Sequence, residues 1–125
     1  MPEELSEPAR VFAAGPHHHL IGGAKVASAD GRTFTTVDPS TGLPIADVPQ
    51  GGPEDVDRAV SAARSAFQGA WGSMPAPKRE RLLLELARLL EEHAGELAEL
   101  EALDNGKPVT FARAVDVAAT AGHLR

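Results

Sequence analysis

The residues best suited to chemistry lie in the segment Asp104-Asn105-Gly106-Lys107-Pro108, which ends a predicted long helix. Asn105 or Gly106 favours a left-handed cap there, and the proline that follows cannot continue a helix. Asp104 would then place its carboxylate beside the free carbonyl oxygens of the helix end. Such an oxygen-rich, negative site suits a hard cation such as sodium, potassium or magnesium better than a thiophilic metal. The alternative is an ordinary surface carboxylate that water and salt screen.

Two other groups of polar residues could carry chemistry. The triplet His17-His18-His19 suggests a transition metal, but three adjacent histidines cannot all face one ion on a regular strand or helix. An extended entry to a strand is therefore favoured over a metal site there. The acidic residues Glu91, Glu92, Glu96 and Glu99 fall on the predicted long helix, where a solvated face explains them better than an acid–base pair.

Composition excludes several classes of site. The 125 residues include no cysteine, which excludes disulfides, zinc–thiolate sites, iron–sulfur clusters and a cysteine nucleophile within this chain. The GxGxxG, GxxxxGK[ST] and GxSxG patterns are absent. A formal charge of −6 argues against a nucleic-acid partner. No apolar run approaches the roughly 20 residues that span a bilayer, and the acidic N-terminus does not resemble a signal peptide. We therefore expect a soluble, cytoplasmic chain with no membrane or nucleic-acid partner.

The elements that must position these residues are a hairpin followed by helices. Residues 1–18, interrupted by prolines and a glycine, predict a flexible N-terminal arm. Residues 19–49 predict a β-hairpin or small meander, with turn signals at Asp30-Gly31 and at 38–42. Helices are predicted over about 53–68, 75–104 and 110–125, each with apolar residues at steps of three and four.

This set of elements predicts an incomplete fold. Two or three extended segments form a poor sheet by themselves, and the helices present apolar stripes that need a partner layer. Strong local signals without a closed global fold are typical of part of a larger protein.

Three stretches together resemble a known family. They are TFTTVDPSTGLPIADV at 33–48, EDVDRAVSAARSAFQGAWGSM at 54–74 and RLLLELARLLEEHAGELAELEALDNGKP at 81–108. In this order and spacing they resemble the N-terminal part of the NAD(P)-dependent aldehyde dehydrogenases. Two departures are small: Lys25 stands where the family often has tryptophan, and Leu43 stands where an acidic residue is common.

The resemblance implies an α/β fold of which this chain is the N-terminal portion, with residues 19–125 forming an incomplete part of the cofactor-binding domain. It implies oxidation of an aldehyde to a carboxylic acid with NAD or NADP, through a cysteine thiohemiacetal, with an asparagine in the oxyanion hole and a glutamate that activates water. In the family these residues and the cofactor-binding residues lie C-terminal to the counterpart of Arg125. We therefore assign no catalytic and no cofactor-binding residue here and predict that the isolated chain is inactive.

The resemblance also implies partners and one ion site. The partners are the C-terminal remainder of the enzyme and further copies, as a homodimer or homotetramer. Several family members hold a structural monovalent cation, and its ligands correspond here to main-chain oxygen at Thr36 and Val37 and to Asp104, with a further ligand in the remainder. This agrees with the chemistry expected at the helix end.

Two alternatives to an enzyme part stay open. The chain could be a stand-alone helical interaction module derived from the same fold, which binds a full-length relative through its leucine-rich faces. It could also be a small metal-binding protein that uses His17, His18 and His19.

Overall fold

A computed structural model describes residues 5–125, so the part of the predicted arm at residues 1–4 lies outside the described residues. Most of the chain is helical, with four short strands near its beginning. The elements in chain order are α1 (Glu7–Ala14), β1 (His19–Ile21), β2 (Ala24–Val26), β3 (Thr33–Val37), β4 (Pro44–Pro49), α2 (Pro53–Gln68), α3 (Ala76–Glu92), α4 (Ala94–Asn105), α5 (Val109–Phe111), a π-helical segment (Ala112–Val117) and α6 (Ala118–His123).

The flexible arm predicted for residues 1–18 is corrected within the described residues, because α1 occupies much of it. Pro8 stands in the first turn of α1, where a helix needs no N–H from it. Ala9 and Ala13 are buried, and α1 packs against α4 and β4. This burial against distant elements, rather than local sequence, makes the segment a helix.

The predicted hairpin or small meander over 19–49 is corrected to two separate two-stranded antiparallel sheets. β1 pairs with β2 across the Gly22-Gly23 turn, and β3 pairs with β4 from Thr33 opposite Pro49 to Val37 opposite Pro44. Between them the chain turns back on itself, since Ser28 accepts the Gly31 N–H and donates its hydroxyl to the Arg32 carbonyl. The Gly31 N–H and the Ser28 carbonyl bond within this turn and not to a neighbouring strand, so the two sheets stay separate.

Helix α2 spans Pro53–Gln68, the range predicted from sequence. Asp55 is 3% exposed, and its carboxylate accepts the N–H groups of Gly52 and Ala29, each at 3.0 Å. The same carboxylate therefore caps the start of α2 and holds the segment after β2 against it.

The single helix predicted over 75–104 is corrected to two helices, α3 and α4, with a bend at His93. His93 has φ −96° and ψ 15°, outside the helical range, although its N–H still bonds Leu89 and its carbonyl still accepts the Leu97 N–H. The bend lets α4 pack on the last helical stretch, where Ala98, Ala112 and Val117 form the buried cluster with Ala94 and Leu97 around it.

The last predicted helix, 110–125, is present as α5, the π-helical segment and α6 in direct succession. Large apolar side chains stay exposed on the helices of the described part of the chain; on α2 and α3 these are Val56, Val60, Phe67, Leu82, Leu83, Leu84, Leu86 and Leu89. Within residues 5–125, no helix has both the length and the apolar character that crossing a membrane requires.

Candidate functional site

The two parts of the site predicted from sequence meet in the structure. Thr36 lies on β3 and Asp104 lies in the last turn of α4. The Thr36 hydroxyl donates a hydrogen bond to Asp104 Oδ1 at 3.1 Å. Of the three predicted metal-ligating residues, Thr36 and Asp104 are thus in direct contact, and Val37 is the next residue on the same strand.

The strand is irregular at the predicted ligands. The pairing of β3 with β4 shifts register between Thr36 and Val37, and Val37 then stands opposite Pro44. Proline has no N–H, so position 44 cannot donate a ladder hydrogen bond to the Val37 carbonyl. The bulge and the proline together favour a main-chain oxygen here that is available to another partner.

The end of α4 is built by Gly106. Its φ of +78° is left-handed, and its N–H bonds the Ala102 carbonyl. A Cβ at this position would lie 2.9 Å from Cγ of Pro39. Only glycine therefore lets the turn after β3 close against the end of α4, and that closure brings Thr36 to Asp104.

The turn itself is held by Asp38. Its carboxylate accepts the Ser40 N–H at 2.8 Å and the Ser40 hydroxyl at 2.6 Å, and it also accepts the Thr41 hydroxyl at 2.9 Å. These bonds, led by that of the Ser40 hydroxyl, lower the pKa of Asp38 below its ordinary 3.8. Asp38 is therefore a structural residue of the turn.

Lys107 ties the loop after α4 to the last helical stretch. Its ammonium group lies 2.7 Å from Asp116 and 3.3 Å from Glu101. The hydrogen bond to Asp116 is the main cause that raises the pKa of Lys107 above its ordinary 10.5. The sequence placed Lys107 in a recognisable motif, but Asp116, nine positions later, carried no local signal that it was the partner.

Thr36 and Asp104 line an open cavity of about 230 Å³ that is mostly apolar. Phe12 and Ala13, in the last turn of α1, line the same cavity, as does His17 just beyond it. The C-terminal ends of α1 and α4 therefore both border this space. Each helix C-terminus carries about half a negative charge, but the other side chains around this space, among them Ile45, Val48 and Leu100, are apolar and offer a cation no oxygen. The donor set of carboxylate, hydroxyl and carbonyl oxygens fits a hard cation.

The histidine triplet does not form a metal site within residues 5–125, where no group of three or more His, Cys, Asp or Glu side chains could hold an ion. The His17 side chain donates to the Ala13 carbonyl and packs edge-on against Phe12, while His19 faces Ser28. Neighbours in sequence thus diverge in space, as expected for an extended entry to a strand.

The acidic residues expected on a solvated helix face have specific partners. Glu91 pairs with Arg125, Glu92 with Arg88 and Glu96 with His93. Glu99 accepts two hydrogen bonds from Ser6. The Glu99 contact was missed because its partner is 93 residues away; the only sequence signal is that Ser6 is a residue type common at helix starts.

Known proteins share this sequence and fold. The sequence model of the aldehyde dehydrogenase family matches residues 26–125. The phenylacetaldehyde dehydrogenase of Pseudomonas fluorescens is 46% identical over 111 residues, which are 88% of this chain and 22% of that protein. The NADP/NAD-dependent aldehyde dehydrogenase PuuC of Escherichia coli (strain K12) is 44% identical over 107 residues, 85% of this chain and 22% of that protein.

Among solved structures, the NAD+ complex of the aldehyde dehydrogenase from Bacillus cereus superposes with a TM-score of 0.94 at 43% identity. That match covers 98% of this chain and 25% of the other chain. The present chain thus spans about a quarter of the length of the relatives it matches, and it has the α/β architecture of their N-terminal portion. Sequence and structure agree that the chain belongs to the aldehyde dehydrogenase family.

Proposed function

We propose that this chain is the N-terminal, non-catalytic part of an NAD(P)-dependent aldehyde dehydrogenase, in which residues 19–125 belong to the cofactor-binding domain. One observation carries the proposal: nearly the whole chain aligns with only a quarter of its relatives, and it contains no cysteine to attack an aldehyde. The exposed apolar faces of α2 and α3 support it, because such faces need a covering layer.

In the whole enzyme, an aldehyde would be oxidised to a carboxylic acid while NAD or NADP accepts a hydride. The remainder of the polypeptide would supply the cysteine, the oxyanion hole and the glutamate that activates water. The residues described here would support that machinery through the fold. A homodimer or homotetramer and a cytoplasmic location stay predictions for the whole enzyme.

We also propose that Thr36, Val37 and Asp104 take part in a structural site for a monovalent cation. The contact between Thr36 and Asp104 supports this, as does the strand irregularity at Val37. The cation would neutralise the negative end of α4 and hold β3 against it. In the isolated chain the site lacks the further ligand that the resemblance implies, so we expect binding there to be weak.

A stand-alone interaction module is the second candidate, and the exposed leucines of α3 favour it equally. The two candidates differ in what they require of the isolated chain. A module should be a folded monomer with well-dispersed amide NMR signals. A part of an enzyme should associate or lose fixed packing, because its apolar faces lack their layer.

Two measurements test the proposed function. The purified chain should produce no NADH from aldehyde and NAD+, and reproducible aldehyde-dependent turnover would contradict the non-catalytic role. For the cation site, Asp104→Ala in the intact enzyme should lessen the rise in melting temperature that potassium or sodium gives over choline at equal ionic strength. Asp47→Ala is the matched control, since Asp47 accepts a comparable hydrogen bond from Thr35 on the same sheet. If the intact enzyme melts at one temperature in all three salts, the site is refuted.

A further inference from the structure

The only asparagine of the chain, Asn105, is followed directly by Gly106. Asparagine is one of the thermolabile residues of proteins. In an Asn-Gly pair the backbone nitrogen of the glycine can attack the side-chain Cγ of the asparagine, because glycine has no Cβ to hinder the approach. Asn105 and Gly106 are both exposed, so water reaches them. The pair therefore has the residue types and the access that a covalent change at the amide requires.

The folded end of α4 holds each of the groups that this reaction uses. The Gly106 N–H, which contains the attacking nitrogen, donates to the Ala102 carbonyl at 2.9 Å. Asn105 Nδ2, which would leave, donates to Glu101 Oε1 at 2.5 Å. Asn105 Oδ1 accepts the Lys107 N–H at 3.0 Å, and this bond fixes the orientation of the amide. The nitrogen cannot attack while these bonds hold, so the last turn of α4 must open first.

Contacts with β3 and with the turn that follows it keep this helix end closed. Thr36 donates to Asp104, the residue before Asn105. The ring of Pro39 packs on the helix cap, because its Cγ would lie 2.9 Å from a Cβ at Gly106. Local opening costs little free energy at exposed chain segments and more where tertiary contacts hold them. The Thr36 contact should therefore control how often the Asn-Gly pair opens.

We propose that Asn105 is a deamidation site which the junction between β3 and α4 protects, and that its modification prevents this junction from closing again. The Gly106 nitrogen forms a bond to Cγ of Asn105, the bond from Cγ to Nδ2 breaks, and the proton of the Gly106 N–H leaves with Nδ2 as ammonia. Water then adds to one of the two carbonyl carbons of the cyclic imide and opens the ring, which leaves aspartate or isoaspartate at position 105. Water is the only co-reactant, and no bound cation takes part.

Either product removes interactions that close the helix end. The new carboxylate replaces the Nδ2 donor that faces Glu101, so a hydrogen bond becomes a repulsion between like charges four positions apart. The carboxylate also adds negative charge at the C-terminal end of α4, where the helix dipole disfavours it. In isoaspartate the main chain runs through the side-chain carbons, which moves the Gly106 N–H away from its acceptor on Ala102. The modified helix end therefore packs less well on β3.

The experiment incubates the intact enzyme at mildly alkaline pH in choline chloride, so that the proposed cation site has no bearing on the result. Samples are digested with trypsin at intervals, and mass spectrometry measures the peptide 89–113, because trypsin does not cleave at Lys107-Pro108. Deamidation appears as the change in mass from NH2 to OH, and chromatography separates the aspartate product from the isoaspartate product. A sample digested at the start corrects for reaction during digestion.

Two threonines of β3 provide a matched pair of variants. Thr36→Val removes the bond to Asp104 and should speed deamidation about two- to tenfold, the factor by which a lost hydrogen bond raises the population of the open state. Thr35→Val removes a bond to Asp47 on the same strand, away from α4, and should leave the rate unchanged. Asn105 should also react faster in the enzyme unfolded in urea at the same pH than in the folded enzyme.

The effect of the product on the helix cap is measured separately. Asn105→Asp reproduces one product throughout the sample. Hydrogen exchange of the Gly106 amide should be faster in this variant than in the original enzyme, because its bond to Ala102 closes the cap.

Each part of the proposal has an outcome that overturns it. An Asn105 amide that stays intact in urea would refute the site. Equal rates in the folded and the unfolded enzyme would refute protection by α4, and equal rates in Thr36→Val and Thr35→Val would refute the role of the junction. Unchanged hydrogen exchange in Asn105→Asp would refute the effect on the cap. Should Thr36→Val fail to fold, Pro39→Ala removes the ring that packs on Gly106, and faster deamidation is expected there too.

Discussion

The Thr36 hydroxyl donates to Asp104 Oδ1 at 3.1 Å across 68 positions of the chain. This contact joins the strand before the Asp38-Pro39 turn to the end of the long leucine-rich stretch. It is made where Gly106 packs against Pro39, so two motifs that are distant in sequence form one local structure. Its contribution to stability is best measured with this chain joined to the remainder of an aldehyde dehydrogenase, because the isolated chain lacks the layer that covers its apolar faces.

Replacement of Thr36 by valine tests whether the hydroxyl group or the main-chain carbonyl of this residue is the proposed cation ligand. Thr36→Val removes the hydroxyl but keeps the carbonyl, so we expect a loss of about 0.5–1.5 kcal/mol in the free energy of unfolding in choline. The stabilisation added by potassium should persist, because the proposed ligand is main-chain oxygen. Urea unfolding in the two salts measures both. Thr35→Val is the control, since it removes a similar bond, to Asp47, away from the site; loss of the potassium effect in Thr36→Val would contradict main-chain ligation.

Gly106→Ala should destabilise the chain by at least about 1–2 kcal/mol. An L-residue pays roughly that amount in the left-handed conformation, and its Cβ would also lie 2.9 Å from Cγ of Pro39. Gly95→Ala is the opposite control. Gly95 lies in α4 with no neighbouring atom within 4 Å of an added Cβ, so alanine should stabilise the helix by about 0.5–1 kcal/mol. Urea unfolding measures the free energy of unfolding of both variants. Equal changes in Gly106→Ala and Gly95→Ala would contradict the close approach of the turn to α4.

Asp38 should make stability depend on acidity. Its pKa is lowered in the folded chain by bonds from Ser40 and Thr41, so its contribution is present above the ordinary value of 3.8 and is lost as pH falls through the lowered value. Asp38→Asn should therefore be less stable than the original chain at neutral pH, and the difference should shrink in acid. Unfolding by urea from about pH 6 to about pH 2 tests this. Asp57→Asn, which alters an exposed carboxylate of α2, is the matched control.

Lys107 should make the free energy of unfolding depend on pH in the alkaline range. Its pKa is raised in the folded chain, chiefly by the bond to Asp116, so its contribution is complete below the ordinary 10.5 and is lost as pH rises through the raised value. Lys107→Met should be less stable than the original chain near neutrality, and the gap should close at strongly alkaline pH. Lys78→Met, in the first turn of α3, is the control. A gap that stays constant with pH would show that packing, and not the ammonium charge, ties α4 to the last helical stretch.

The sequence predicted the features whose causes are local. Pro53 and the acidic residues after it mark the start of α2, and Asn105-Gly106 marks the end of α4, where Gly106 does take the left-handed cap. Both signals depend on backbone preferences of a few adjacent residues. The family resemblance, which rests on longer motifs, was confirmed by the family match.

The features that the sequence did not predict depend on contacts between distant residues. Pro8 was taken to indicate a flexible arm, yet α1 forms there because Ala9 and Ala13 are buried. The bend at His93 left no trace in the leucine spacing, because apolar residues continue on both sides of it. Glu99 was predicted to lie on a solvated helix face, but its carboxylate accepts a hydrogen bond from the Ser6 hydroxyl. Tertiary burial and pairing decided each case, and neither can be read from a short window of sequence.

The most direct test of the central claim joins this chain to the part of the Bacillus cereus aldehyde dehydrogenase that follows its matched region, a junction between structures that superpose with a TM-score of 0.94. The measurement is aldehyde-dependent NADH production by the joined protein, by that remainder alone and by the 125-residue chain alone. We expect turnover by the joined protein only. Turnover by the 125-residue chain alone, or a folded joined protein that binds NAD+ but oxidises no aldehyde, would contradict it.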